Sequence, residues 1–113
     1  MNDRLPTKLW VDGLRRRLAA EGEFVTILRK GDEGAGAVIL VLRSRAGEVS
    51  LFSRTNLGDG STEWRPLSDE LPENDDKLRE ILTKQIRFDP DLWVVELDVA
   101  DPARFIVDLA SMN

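Results

Sequence analysis

The stretch AGAVILVLRSRAGEVSLF, residues 35–52, determines the centre of the fold. Its first half carries an unbroken apolar run at positions 37–42, rich in β-branched residues. A run this short is typical of a strand, and a strand that is apolar on both faces is typical of the middle of a sheet. The polar residues 43–47 then turn the chain, and residues 48–54 return as a neighbouring strand. We therefore expect a central strand pair that other elements must cover on both faces.

The residues before this pair predict one helix and one strand. Residues 6–20 carry apolar side chains at helical spacing, and Gly22 is suited to a left-handed helix end. Residues 24–30 alternate as a strand does. One predicted face has Phe24, Thr26 and Leu28, and the other has Val25, Ile27 and Arg29. The glycine-rich residues 31–36 lack the Gly-Lys-Ser/Thr of a nucleotide loop, and we expect a hairpin turn to the central strand.

The residues after the pair predict two strands and two helices. Residues 62–67 form an edge strand, because Pro66 has no N–H to donate to a neighbour. A helix over 74–88, a strand over 92–99 and a short helix over 101–112 follow. The order α-β-β-β-(β)-α-β-α predicts a single α+β domain over residues 1–113. We expect a mainly antiparallel sheet of four or five strands, two longer helices and a short C-terminal helix.

The absent residue types restrict the chemistry. The chain has no Cys, His or Tyr, which excludes thiolate and histidine catalysis and the usual zinc and haem sites. This lowers the expectation of an enzyme, and we predict no catalytic residue and no cofactor. No long apolar segment and no signal-peptide core are present, so we expect a cytoplasmic protein without a membrane partner. The net charge of −5 argues against nucleic-acid binding.

A carboxylate cluster keeps an alternative function open. Asp89, Asp91, Glu96 and Asp98 fall within ten residues of one another, and the last two share a face of the predicted strand. Such a set could hold a hard cation or support two-carboxylate chemistry. The alternative is therefore a small metal-binding protein or enzyme. The competing interpretation is structural, with Asp89 capping the turn before the strand and Glu96 facing solvent.

The charge distribution favours a protein-interaction or regulatory module without catalysis. Residues 1–30 carry a net charge of +3 and residues 59–113 carry −8. Trp93 alternates with apolar residues and is predicted to lie in the core, whereas Trp64 stands between charged residues and is predicted to be exposed. The candidate surface for an unidentified protein partner consists of Arg15, Arg16, Trp64, Arg65, Asp89 and Asp91.

Two stretches resemble a known family. The run RFDPDLWVVE at residues 87–96, together with AGAV at residues 35–38, is similar to a family of small bacterial proteins known only as a domain of unknown function. The likeness extends from about Lys8 to Asp98. It implies a small standalone cytoplasmic bacterial protein and brings no activity, cofactor or site residue.

The predicted layers also suggest self-association. If both long helices cover one face of the sheet, only the short helix over 101–112 remains for the other face. That helix is too narrow to cover a sheet of four or five strands. Exposed apolar surface usually marks an interface, so we expect a homodimer through the second sheet face or the last helix.

Overall fold

The computed structural model describes residues 5–56, 58–59, 62–67 and 71–110, which form one sheet and three helices. The helices are α1 (Thr7–Ala20), α2 (Asp75–Phe88) and α3 (Pro102–Ala110). The strands are β1 (Val25–Arg29), β2 (Val38–Arg43), β3 (Val49–Asn56), β4 (Thr62–Pro66) and β5 (Trp93–Asp98). The order confirms the predicted α+β class, although the predicted helix end at Met112 lies outside the described residues. Within those ranges no helix is long and apolar enough to cross a bilayer.

The sheet has the strand order β1-β5-β2-β3-β4. Its two central strands, β2 and β5, run parallel, and the other neighbouring pairs are antiparallel. The mainly antiparallel sheet and the central position of β2 were both predicted. The predicted hairpin between β1 and β2 is wrong, because β5 lies between them. β5, which comes much later in the chain, occupies the position beside β1 that β2 would occupy in a hairpin.

Residues 31–36 pack against the start of β5 instead of forming a hairpin turn. The Asp32 amide donates to the Asp91 carbonyl at 2.9 Å. The indole N–H of Trp93 donates to the Asp32 carbonyl at 2.7 Å. A Cβ at Gly31 or Gly36 would collide with the Asp91 carbonyl. The glycines are therefore needed for the close approach of two backbones rather than for a turn.

The three helices divide between the two faces of the sheet. α1 and α3 cover one face, called here the α1/α3 face, where Val38, Leu40 and Trp93 lie in the larger core. α2 alone covers the opposite face, called the α2 face, over Ile39 and Val94. The prediction that the two long helices share a face is wrong, because β2 and β5 are apolar on both sides and each side needs a helix. Trp93 is 2% exposed, which confirms its predicted place in the core.

Candidate functional site

The edge strand β1 exposes apolar side chains on the α2 face. α2 packs over β2, β3 and β5 and leaves the outer part of β1 uncovered. As a result, Phe24 is 77% exposed and Leu28 is 47% exposed, with the exposed Thr26 between them. Exposed apolar surface was predicted on the sheet face that the last helix covers only in part, whereas these two side chains lie on the face that α2 covers. We call the outer side of residues 24–28 the open edge.

The backbone of the open edge presents hydrogen-bonding groups to solvent. The Trp93 amide donates toward β2, so alternation along β5 directs the N–H and C=O of Glu96 toward β1. Thr26 lies opposite Glu96 and turns its own groups toward β5. Val25 and Ile27 therefore direct their N–H and C=O groups outward. Among the described residues, no strand pairs with β1 on that side.

A β-bulge at the end of β1 changes the direction of one charged side chain. Ile27 lies opposite Val95 and Arg29 lies opposite Val94, which leaves Leu28 as the extra residue. Cross-strand partners share a face, so Arg29 lies on the α2 face with Val94. The predicted placement of Arg29 beside Val25 and Ile27 is thus wrong. Its Nη2 donates to the Pro90 carbonyl at 2.8 Å.

A groove on the α2 face runs beside the open edge, and we call it the α2–β1 groove. Its volume is about 490 Å³. It is lined by Leu28, Arg29, Arg43, Asp75, Leu78, Arg79, Leu82, Thr83, Ile86, Val94 and Glu96. The lining combines aliphatic side chains with three arginines and two carboxylates, so it suits a side chain with an apolar body better than a small polar substrate.

The charged groups at one end of the groove bind each other. Arg43 donates from Nε to Glu96 at 2.9 Å and from Nη2 to Asp75 at 3.1 Å. The hydrogen bond to Asp75, followed by the one to Glu96, raises the pKa of the Arg43 guanidinium above its usual value. The Glu96 side chain is 23% exposed and faces this cation, so the interpretation that it faces solvent is wrong. An acid held by an arginine in this way is a structural link between β2, β5 and α2 and not a free base.

The predicted interaction residues lie in separate places. Arg15 and Arg16 are exposed on α1, in a shallow groove beside Phe24 at the start of β1. Arg65 is exposed on β4, which is the opposite edge of the sheet. Asp89 and Asp91 lie at the corner between α2 and β5. Only the two arginines of α1 lie near the open edge.

Trp64 is buried, and the prediction that it is exposed is wrong. It is 6% exposed, and its ring centroid lies 5.6 Å from that of Trp10 on α1. It belongs to the core of the α1/α3 face, against which Phe105 and Ile106 of α3 also pack. Trp64 is therefore a core residue of an edge strand and not a binding anchor.

The four carboxylates of the alternative hypothesis do not form a site. Asp89 and Asp91 precede β5, whereas Glu96 and Asp98 lie in its second half. From Asp91 to Asp98 the chain spans roughly 20 Å. Asp89 accepts a hydrogen bond from the Asp91 amide at 3.1 Å, which is the predicted corner cap. In the part of the chain that the structure describes, no group of three or more acidic side chains could hold a metal ion.

Sequence reasoning missed most of the site. Phe24 and Leu28 were placed on one strand face, but their exposure depends on where α2 lies. Arg29 was placed on the wrong face, because a bulge has no clear local signature. The Arg43–Glu96 pair joins residues 53 positions apart, through strands whose adjacency no local pattern reveals.

Residues 5–107 match the family model described as "Protein of unknown function (DUF1491)". The chain is similar to a DUF1491 family protein from Caulobacter crescentus CB15 in a crystal structure at 1.87 Å resolution, with 37% identity and a TM-score of 0.75. That match covers 87% of this chain and 91% of the other. An NMR structure of a DUF1491 family protein from the same organism shares 38% identity with a TM-score of 0.74, covering 86% of this chain and 87% of that one.

A third similar structure is the solution structure of protein Atu0922 from A. tumefaciens. It is 30% identical with a TM-score of 0.67, and the match covers 87% of this chain and 88% of that one. No curated protein matches the chain. The predicted resemblance to a bacterial family of unknown function is confirmed by these matches. The chain belongs to the DUF1491 family.

Proposed function

We propose that this protein is a protein-interaction module without catalysis, which binds an extended protein segment along the open edge of β1. The observation that carries the proposal is the exposure of Phe24 and Leu28, at 77% and 47%, on a strand whose outer backbone groups are unpaired among the described residues. Strand addition uses these two features together. Backbone hydrogen bonds supply affinity, and pockets for alternate side chains supply specificity.

The α2–β1 groove supports the same function. A segment paired with β1 directs every second side chain toward the α2 face, where the aliphatic lining of the groove begins at Leu28. The charged residues of the groove also favour binding over catalysis, since Glu96 is held by Arg43 at 2.9 Å. Ligand binding there needs no proton transfer and no nucleophile.

The experiment is affinity capture with cross-linking of the tagged protein in its own cell, using a matched pair of variants. Phe24→Glu places a charge on the open edge, whereas Phe88→Glu changes an equally exposed phenylalanine at the end of α2, since the two are 77% and 78% exposed. We expect cross-linked partners, including any second copy of the chain, to be lost with Phe24→Glu and kept with Phe88→Glu. Equal capture by both variants would contradict the proposal.

A further inference from the structure

We infer that the segment bound at the open edge is β1 of a second copy of this chain, an inference that rests on the proposed function. The two β1 strands pair antiparallel about a two-fold axis at Thr26. The two five-stranded sheets then continue into one another. A two-fold contact of this kind is self-complementary: if one residue of the first copy contacts a second residue of the other copy, the same two positions also contact each other with the copies reversed. The backbone, the side chains and the charges of residues 21–30 all fit this arrangement.

The backbone groups of β1 are in register for such a pair. With Thr26 opposite Thr26 of the second copy, Val25 lies opposite Ile27 of that copy. Both residues direct their N–H and C=O groups outward, as derived from the pairing of Thr26 with Glu96. Each Val25–Ile27 pair therefore exchanges two backbone hydrogen bonds. An offset of the pairing by one residue, with Val25 opposite Thr26 of the second copy, would set outward-directed groups against inward-directed ones, so the backbone excludes such registers.

The exposed side chains of the open edge complement each other in this register. Phe24 immediately precedes β1, and alternation from Thr26 places it on the α2 face. In this register it comes opposite Leu28 of the second copy, which lines the groove on the same face. These are the two large apolar side chains of the open edge that α2 leaves exposed. Since Leu28 lines the α2–β1 groove, the incoming phenylalanine lies at its mouth. The pair thus covers both apolar side chains on both copies.

The charges at the two ends of β1 have opposite signs. Glu21 and Glu23 precede the strand, whereas Arg29 and Lys30 end it or follow it. An antiparallel pair brings the acidic end of each strand to the basic end of the other. Between these ends, residues 24–28 carry no charge. A parallel arrangement would bring like charges together at both ends, so the charge pattern favours the antiparallel dimer.

The contact is small, so we expect a dimer that depends on concentration. Each β1 contributes five residues, a length of about 17 Å. Interfaces below about 1,200 Å² are at the weak end of specific association. The mass of the protein should rise from 12.7 kDa toward twice that value as its concentration increases through the micromolar range.

Cysteine cross-linking tests the register, because the chain has no cysteine of its own. Opposed residues in a non-hydrogen-bonded antiparallel pair have Cα atoms about 4.5 Å apart, within disulfide range. Thr26→Cys should therefore form a covalent dimer on mild oxidation. Ala46→Cys, at an exposed alanine in the turn between β2 and β3, is the control. We expect cross-linking about tenfold faster, or more, for Thr26→Cys at equal protein concentration. Equal rates for the two variants would overturn the inference.

Sedimentation of the Phe24→Glu and Phe88→Glu variants separates this inference from the proposed function. If self-pairing is correct, the Phe24→Glu variant keeps a mass of 12.7 kDa at all concentrations. The Phe88→Glu variant increases in mass with concentration as the unsubstituted protein does. A protein of 12.7 kDa at high micromolar concentration overturns the self-pairing. If the cellular cross-links then still depend on Phe24, the open edge binds a different protein and the proposed function stands. If those cross-links do not depend on Phe24 either, both proposals are wrong.

Discussion

The two edge strands of the sheet, β1 and β4, meet solvent in different ways. On β4, the ring of Trp64 is covered by α1 and α3, Pro66 removes one backbone donor, and Arg65 pairs with Glu63 at 2.9 Å. On β1, residues 24–28 carry no charge and no proline, and Phe24 projects into solvent.

The difference indicates which edge is available for binding. Charged side chains, proline and a covering helix are the usual means by which an edge strand avoids pairing with other chains. β4 has all of them. On β1, α1 covers only the face of Val25 and Ile27, and both Arg29 and the bulge at Leu28 lie beyond the regular residues 25–27. An edge that lacks this protection is suited to pairing, which is why the proposed interaction surface is at β1.

The largest expected difference between the edges concerns their aromatic residues. Trp64→Ala removes a side chain that is 6% exposed and packed on Trp10, so it should destabilise the protein by about 3–5 kcal/mol. Phe24→Ala removes one that is 77% exposed and should change stability by less than about 0.5 kcal/mol. Urea melts at low protein concentration measure both. Similar losses for the two variants would show that the edges do not differ as described.

A second pair of variants tests the direction of the β1 backbone. Thr26→Pro removes an N–H that points toward Glu96 of β5, whereas Val25→Pro removes one that points outward. We expect Thr26→Pro to be the less stable of the two by about 1–3 kcal/mol, because it leaves a β5 carbonyl unpaired. The free energies of unfolding from urea melts decide this. Equal losses would mean that Val25 is also paired inward and that the open edge has a different register.

The smallest expected difference compares an ion pair at the centre of the sheet with one at its β4 edge. Glu96→Gln weakens the partly buried pair with Arg43 and should cost about 1–2 kcal/mol. Glu63→Gln weakens an exposed pair with Arg65 on β4 and should cost about 0–0.5 kcal/mol. Thermal melts in low and high salt measure both effects. A cost for Glu63→Gln that equals that of Glu96→Gln would contradict the view that the β4 charges act against pairing rather than for stability.

The two stretches that carry the family resemblance contact each other. Asp32 and Gly36, in the loop before β2, approach Asp91 and Trp93 at the start of β5 through hydrogen bonds and close backbone packing. The glycine is required because the loop backbone passes close to the start of β5, and the Trp93 indole donates to the loop carbonyl of Asp32. The resemblance therefore reflects the sheet topology, and it does not by itself indicate a catalytic site.

The amino-acid sequence by itself determined the elements, their order and the α+β class. The apolar run in β2, the alternation in β1 and the helical spacing in α1 and α2 are local patterns. A local pattern fixes which side of an element must be buried, because its period follows from the backbone geometry alone. The same reasoning placed Trp93 in the core and Asp89 at the corner before β5.

Only the tertiary structure decided the strand order, the burial of Trp64, the side occupied by Arg29 and the exposure of Phe24. Each depends on a contact between residues far apart along the chain, such as Trp64 with Trp10 or Arg43 with Glu96. Local patterns say that a face must be covered and not which element covers it. The positions of the three helices decide which element covers each face. β2 and β5 carry apolar side chains on both sides, so each face needs a helix, and α2 does not extend over the outer side of β1.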